Sequence, residues 1–405
     1  MHATTESVRA MYSAFPYPSG APALRQATDA RLLLSYVERG RPAGRAIRVL
    51  DAGCGRGVGL IGAAVTQPDV DFLGVDLCRE ALADARAEAA RRGLANVRFA
   101  ELDLMTLEGL EVPSGGFDVI LSSGVLHHLV DPREGLRRLS DVLAPHGVVS
   151  LMVYGRRGRE SLYRVVRAID ALAPRELPLE QRLRLGRQLV ESAASEAFTC
   201  GPWNDLRTIS DVEFVDRYLN VHETSYDVPA LFELVESAGL SFVRWAEPAD
   251  WDIEALLPAG PLREHVKSLP RTRQFALVDE LTFRPSLECV LAKAGQRARS
   301  SLAELDRTSA LAWSPEALLR IERRNLRGAQ RTESLSIQVR RRAPVALTSG
   351  PVARAALAIE AQQEPFLLDD LTKVLAENGV RADQARSAVL ELLAIEALYC
   401  PHVAD

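Results

Sequence analysis

Residues 47–154 predict a doubly wound α/β domain, a parallel sheet with helices on both faces, and three observations carry that expectation. A short apolar run, Ile47-Arg48-Val49-Leu50, empties into a glycine-dense turn. Further apolar runs then alternate with amphipathic helical stretches, the pattern that strands crossing over through helices leave in a sequence. Successive runs also end in an acid, at Asp51, Asp76 and Asp103.

Taken in order, the chain opens on residues 7–20, where Tyr12, Phe15 and Tyr17 stand beside Pro16 and Pro18 in a segment too short for a core of its own. Such a segment must lie on something, either as a packed arm or as a lid whose rings cover a ligand pocket. A helical stretch from Thr28 to Arg39 ends at Gly40-Arg41-Pro42. The first strand then enters Asp51-Ala52-Gly53-Cys54-Gly55-Arg56-Gly57. Gly53 and Gly55 let the backbone bend and approach a ligand closely, and a helix starting near Val58 turns its free N–H groups to the same place. A carboxylate at Asp51 repels a pyrophosphate but suits an α-amino group. Gly57-Val58-Gly59-Leu60-Ile61-Gly62 has the glycine spacing of dinucleotide-binding turns, yet it begins inside the helix and out of phase with the strand end.

The acid-x-Gly-x-Gly-x-Gly run from Asp51 to Gly57 resembles the first motif of the class I S-adenosylmethionine-dependent methyltransferases. The resemblance implies a seven-stranded Rossmann-like sheet and S-adenosylmethionine as cofactor, with Asp51, Ala52, Gly53, Cys54 and Gly55 around it. Tyr-Pro-rich openings similar to this one precede some bacterial methyltransferase domains.

The second strand, Phe72 to Leu77, ends at Asp76, about twenty residues past the turn, where a carboxylate accepts from both ribose hydroxyls and Leu77 flanks it. Its helix closes at Gly93 behind Arg91 and Arg92, charges that complement a helix C-terminus. Val97 to Leu102 delivers Asp103-Leu104, the position that commonly receives the adenine amino group in the resembled family. Phe117 to Ser123 is the fourth strand, so Ser122 and the loop to His128 face the crevice at the carboxyl edge of the sheet. His127 and His128 are the candidate catalytic pair, since imidazole takes a proton near neutral pH; a packing role for one ring is the competing reading. Adjacent histidines project in different directions, so no metal site is expected. Asp131-Pro132-Arg133-Glu134 starts a helix that carries Leu136, Leu139, Val142 and Leu143. It stops at Ala144-Pro145-His146-Gly147, which makes His146 a turn residue before the fifth strand, Val148 to Tyr154.

The alternation then breaks for about seventy residues, longer than ordinary connections in such a domain. Residues 156–226 read as an insertion over the pocket, helical from Ser161 to Ser195 and a loop from Phe198 to Asp205. In the resembled family additions at this place shape the acceptor site, so Trp203, Asn204, His222 and Tyr226 join Tyr12 and Tyr17 as substrate-contact candidates. A helix at Val228 to Ala238, a strand at Ser241 to Ala246, a helical insert and a last strand at Leu287 to Lys293 complete seven strands. Residues 1–46 thus form an arm and helix, 47–295 the cofactor-binding domain, and 296–405 a separate winged-helix-like α+β module. That module reads as a strand at Ser334 to Val339, helices at Leu367 to Asn378 and Asp383 to Ile395, and a wing at Leu398-Tyr399-Cys400. It resembles the accessory domains that follow some bacterial methyltransferase cores, including protein-lysine methyltransferases.

A net charge of -5 gives no overall positive field, which disfavours nucleic acid as partner; Arg323, Arg324, Arg327, Arg340, Arg341 and Arg342 are read as a solvated face serving dimerisation or substrate docking. Five cysteines without a Cys-x-x-Cys pair suggest reduced thiols, as in a cytoplasm, and the first residues carry no secretory pattern. No apolar run reaches the roughly 20 residues of a membrane helix, so no membrane partner is expected. The expected activity is methyl transfer to an N or O nucleophile of a small metabolite or peptide, with a protein lysine second. A nicotinamide-dependent oxidoreductase and a non-catalytic cofactor-binding regulator are the readings from other classes. The arm and the insertion are expected to close together over the cofactor.

Overall fold

The computed structural model describes residues 2–18, 29–38, 44–193, 205–298, 310–326, 329–339, 343–347, 350–361, 365–377 and 379–400. They group into two units, residues 1–27 with 46–295 and residues 28–45 with 296–405. The helix expected from Thr28 to Arg39 therefore groups with the C-terminal residues and not with the arm.

The first unit begins with α1 (Ala3–Ala14); α2 (Ala30–Leu34) belongs to the second. Next come β1 (Ile47–Ala52), α3 (Val58–Thr66), β2 (Val70–Asp76), α4 (Arg79–Arg91), β3 (Val97–Glu101), β4 (Phe117–Ser123), α5 (Pro132–Val142) and β5 (Leu143–Tyr154). The insertion follows as α6 (Arg156–Leu172), α7 (Leu179–Ser192) and α8 (Asp211–Tyr218), and the sheet is completed through α9 (Val228–Ser237), β6 (Leu240–Trp245), α10 (Pro261–Ser268), α11 (Arg271–Leu281) and β7 (Ser286–Lys293). The seven strands lie in the order β3-β2-β1-β4-β5-β7-β6, parallel from β3 to β5, with β7 antiparallel to both its neighbours. Central strands read as almost unbroken apolar runs because helices cover both faces, and Val119, Ile120, Val148 and Val149 are fully buried. The start of α5 is fixed by Asp131, whose carboxylate accepts from the N–H groups of Arg133 and Glu134 at 3.0 and 3.1 Å, with Pro132 in the first turn.

One boundary differs from expectation. β5 begins at Leu143, which pairs with Phe117, and the ladder shifts register before Val119. His146 is consequently buried in the sheet and donates through Nε2 to Asp118 at 2.6 Å; it is not a surface turn residue. Asp118 also accepts from the Arg48 N–H at 2.8 Å, so this buried carboxylate ties the amino ends of three strands.

The insertion has its own core of Leu162, Val165, Ile169, Leu183, Phe214, Val215, Tyr218 and Leu219, and Met11 of α1 is buried in it with Tyr12 and Phe15 partly so. The aromatic arm thus rests on the insertion. Trp203 and Asn204, the candidates in its loop, lie outside the described residues, as do Cys200, Arg327, Arg340, Arg341 and Arg342.

In the second unit β8 (Ala310–Trp313) is followed by a hairpin of β9 (Ala317–Leu326) and β10 (Ala329–Val339), with β11 (Val345–Ala346) on its outer side. Then come α12 (Gly350–Glu360), β12 (Phe366–Leu367), α13 (Leu368–Glu377), α14 (Ala382–Ala394) and β13 (Leu398–Tyr399). The run from α12 to β13 follows a helix-strand-helix-helix-strand order over a core that includes Ala355, Leu371, Leu375, Val389 and Leu392. Leu398 and Tyr399 form a two-residue strand at the edge of a small sheet, and the strand between β12 and β13 is β8, from earlier in the chain. Among the described residues no helix is long and apolar enough to cross a membrane.

Candidate functional site

β1 ends at Ala52, and the next residues leave the sheet through three left-handed glycines, Gly53, Gly55 and Gly57, at φ of 88°, 52° and 70°. The turn is pinned to β2, because the N–H groups of Gly53 and Cys54 both donate to the Val75 carbonyl, at 2.8 and 3.0 Å. Gly57 caps α3 without a side-chain hydrogen bond, which leaves the first N–H groups of the helix without a side-chain cap at the turn. The absence of a side chain is essential at Gly53, where a Cβ would stand 2.4 Å from Val125 in the loop after β4.

Two acids meet at this turn. Asp76, at the end of β2, accepts from the Gly55 N–H through Oδ2 and from the Cys78 N–H through Oδ1, both at 2.8 Å. Each oxygen keeps a lone pair, enough for the two hydroxyls of a ribose. Burial raises its pKa, opposed by those backbone donors. Asp51 is half-buried at the end of β1, and among the described residues no hydrogen bond to its carboxylate is found. Burial, with the neighbouring charge of Asp76 second, pushes its carboxyl up to about 7. A cationic group placed there relieves both effects, so the pair of acids fits an ammonium and a ribose and rejects a pyrophosphate. Asp103, after β3, uses Oδ1 to accept from the Met105 N–H at 2.8 Å, which holds its loop, with Leu104 buried beneath and Leu77 half-buried after β2.

α1 lies across this edge. Arg9 shares Glu101 with Arg79, Ser13 donates to Glu80 at 2.9 Å, and the Pro18 carbonyl accepts from Arg56 at 3.0 Å. The Tyr17 carbonyl comes within 3.6 Å of the place a Gly55 Cβ would take. On its other side Tyr12 donates to Asp216 of α8 at 2.9 Å and accepts from Asn220 at 3.3 Å. The arm therefore bridges α4 and the insertion across the glycine turn.

At the carboxyl end of β4 three buried polar side chains have atoms without a hydrogen-bond partner: Ser122 at Oγ, and His127 and His128 at Nε2. The two rings hold opposite tautomers. His127 accepts at Nδ1 from the Tyr154 N–H at 3.3 Å, leaving its proton on Nε2, whereas His128 donates from Nδ1 to the His222 carbonyl at 2.8 Å, leaving a lone pair on Nε2. Burial pushes His128 down to about 4 and His127 well below its usual value, so both are neutral near pH 7. The His127 ring stacks on Tyr154 with centroids 3.6 Å apart, and the Arg159 guanidinium covers Tyr154 at 3.6 Å. Arg159, nearly sealed from solvent, is paired to Glu223 at 2.9 Å, which also accepts from Tyr163.

His222 donates its ring N–H to the Leu129 carbonyl at 3.0 Å, and Tyr226 is buried in the main core with its backbone bridged to β5. Both hold the insertion against the sheet. Asp216, Tyr154, Arg159 and Glu223 were missed by sequence reasoning. They stand on β5, α6, α8 and the segment after α8, with no spacing rule to link them.

A family model described as a methyltransferase domain matches residues 44–169. An uncharacterized protein of a Synechococcus strain is 29% identical over 294 residues, covering 68% of this chain and 69% of that protein. An uncharacterized methyltransferase of Mycobacterium bovis is 33% identical over 106 residues, 26% of this chain and 50% of that protein, so the match spans half of its length. Among solved structures, PKMT2 of Rickettsia typhi in complex with AdoHcy is similar in fold, with a TM-score of 0.66 at 18% identity over 96% of this chain and 78% of that one. The match over residues 44–169 identifies a methyltransferase domain in this chain, and the seven-stranded sheet with its glycine turn and strand-end acids is the architecture on which such a domain takes S-adenosylmethionine as cofactor.

Proposed function

We propose that the chain methylates an N or O nucleophile of a small metabolite or peptide that reaches the glycine turn beside α1 and the insertion. The observation that supports this most is the position of the arm, which reaches the glycine turn at Tyr17 and Pro18 and the insertion at Tyr12. In this reading Asp51 holds the ammonium of S-adenosylmethionine, Asp76 its ribose, and Asp103 with Leu104 and Leu77 its adenine. Ala52, Gly53, Cys54 and Gly55 form the floor. When bound, that cofactor supplies a methyl group already activated on a sulfonium, so the protein's main task is to hold the acceptor in line and exclude water. Ser122 and the Nε2 atoms of His127 and His128 orient the reacting groups, with Tyr12 and Tyr17 as the acceptor-side rings.

A protein lysine is the second reading. Asp216 and Glu223 beside Arg159 put two carboxylates on the acceptor side, which suits an ammonium side chain. Incubation with tritiated S-adenosylmethionine and a bacterial extract separates the readings by whether label enters the small-molecule or the protein fraction. No transfer into either, with S-adenosylhomocysteine still bound in calorimetry, would leave a cofactor-binding regulator.

A further inference from the structure

We propose that Tyr12 and Asp216 form a proton-accepting pair, the Tyr12 hydroxyl meeting the methyl acceptor and Asp216 behind it taking up the proton. The inference rests on the methyl-transfer reading above and names the group that reading lacks.

The hydrogen bonds around Tyr12 define its capacity. Its hydroxyl donates to Asp216 Oδ1 at 2.9 Å and accepts from Asn220 Nδ2 at 3.3 Å, which leaves one lone pair. The ring is half-buried and lies edge-on to His128 with centroids 6.1 Å apart, while its neighbour Ser13 touches the start of α4 beside Asp76. Tyr12 therefore stands between the cofactor turn and the insertion. Asn220 is itself fixed, because its Oδ1 accepts from the His222 N–H at 3.1 Å, and the His222 carbonyl fixes His128.

The histidines are poorer proton acceptors than this pair. Their Nε2 atoms are shut from solvent, and His128 holds a proton only below about 4. Asp216 is pushed up to about 6 by burial, opposed by the Tyr12 hydrogen bond and by Arg159 of α6; Glu223, Glu213 on its own helix, Tyr12 of α1 and Tyr154 of β5 also face it. A carboxylate in that range is ionised at neutral pH and binds a proton more firmly than an exposed one. As the bond from the nucleophile to the methyl carbon forms, the carbon–sulfur electron pair stays on sulfur. The nucleophile's proton passes to the Tyr12 oxygen, the Tyr12 proton passes along its existing bond to Asp216, and the carboxylate becomes a carboxylic acid that later returns the proton to solvent.

The test follows label transfer from tritiated S-adenosylmethionine into a bacterial extract between about pH 5 and pH 9, for the native protein, Asp216→Asn, Asp216→Glu and Tyr12→Phe. Each is first checked for thermal unfolding and S-adenosylhomocysteine binding. With S-adenosylmethionine saturating at every pH, which removes the pH dependence that Asp51 gives to cofactor binding, the native rate should fall as the pH drops through about 6, because Asp216 must be ionised to act. Asp216→Asn and Tyr12→Phe should lose that acid limb and run about 100-fold slower at neutral pH with cofactor binding kept, and Asp216→Glu should restore part of the limb. If Asp216→Asn fails to fold, Tyr12→Phe carries the test. Variants that keep the native rate and limb, or that lose cofactor binding in proportion to rate, overturn the pair. A native protein that binds cofactor but transfers no label overturns the methyl-transfer reading itself.

Discussion

Gly53 combines a left-handed φ of 88° with a neighbour, Val125, that leaves no room for a methyl group. Gly53→Ala should cost about 2–5 kcal/mol, adding a strained backbone to an overpacked contact, and should weaken S-adenosylhomocysteine binding more than tenfold. Thermal unfolding and calorimetry check it, and unchanged binding would show that the turn does not shape the cofactor site. At Asp51 the sign runs the other way from a salt-bridged acid. Its folded carboxyl titrates near 7, above the usual carboxylate range, so its contribution to stability without ligand is lost as the pH rises from about 4 to about 7. An ammonium beside it favours the ionised form, so S-adenosylhomocysteine affinity should rise with pH through about 7, and Asp51→Asn should flatten that dependence in calorimetry. Asp51, Gly53 and Asp76 were legible in sequence because a strand end and a left-handed turn leave local marks. Asp216, Arg159 and Glu223 left none, since the fold brings them together from helices and loops distant in the chain.

Among elements, α1 shows what periodicity conveys and what it omits. Three aromatics among prolines announced a segment needing a surface, but which surface depended on the shape of the insertion core that receives Met11. Met11→Ala should cost about 2–5 kcal/mol, read by thermal unfolding, since a buried side chain leaves a cavity. The exposed pairs on the other side of α1 should behave differently. Removing them with Arg9→Ala and Ser13→Ala should change stability by less than about 1 kcal/mol. The same double variant should speed S-adenosylhomocysteine dissociation several-fold in stopped flow, and an unchanged dissociation rate would mark the arm as packing alone. β5 was legible as a strand, but not its start: Pro145 and Gly147 read as a turn, whereas the strand runs through both as an irregularity between the Phe117–Leu143 and Val119–Val148 pairs.

Across the whole molecule, the seven-stranded sheet was legible in strand count and place, because each run is apolar and bounded by a turn. The antiparallel sense of β7 and the grouping of residues 28–45 with the C-terminal residues were not, since neither leaves a local signal. A chain ending at Gly295 retains all seven strands and should bind S-adenosylhomocysteine, yet it lacks the residues with which α2 groups. It should bind more of a dye that reports exposed apolar surface than the full chain does, and equal dye binding would count against this grouping. The bridge between Val37 and Ala298 carries a consequence for synthesis. Ala298 leaves the ribosome roughly 260 residues after Val37, which at about 5–20 residues per second is on the order of 10–50 s. For that interval Leu32, Leu33 and Leu34, buried in the finished protein, wait in the nascent chain while β1 to β7 emerge, so a newborn copy offers a chaperone an apolar handle that the mature enzyme no longer has.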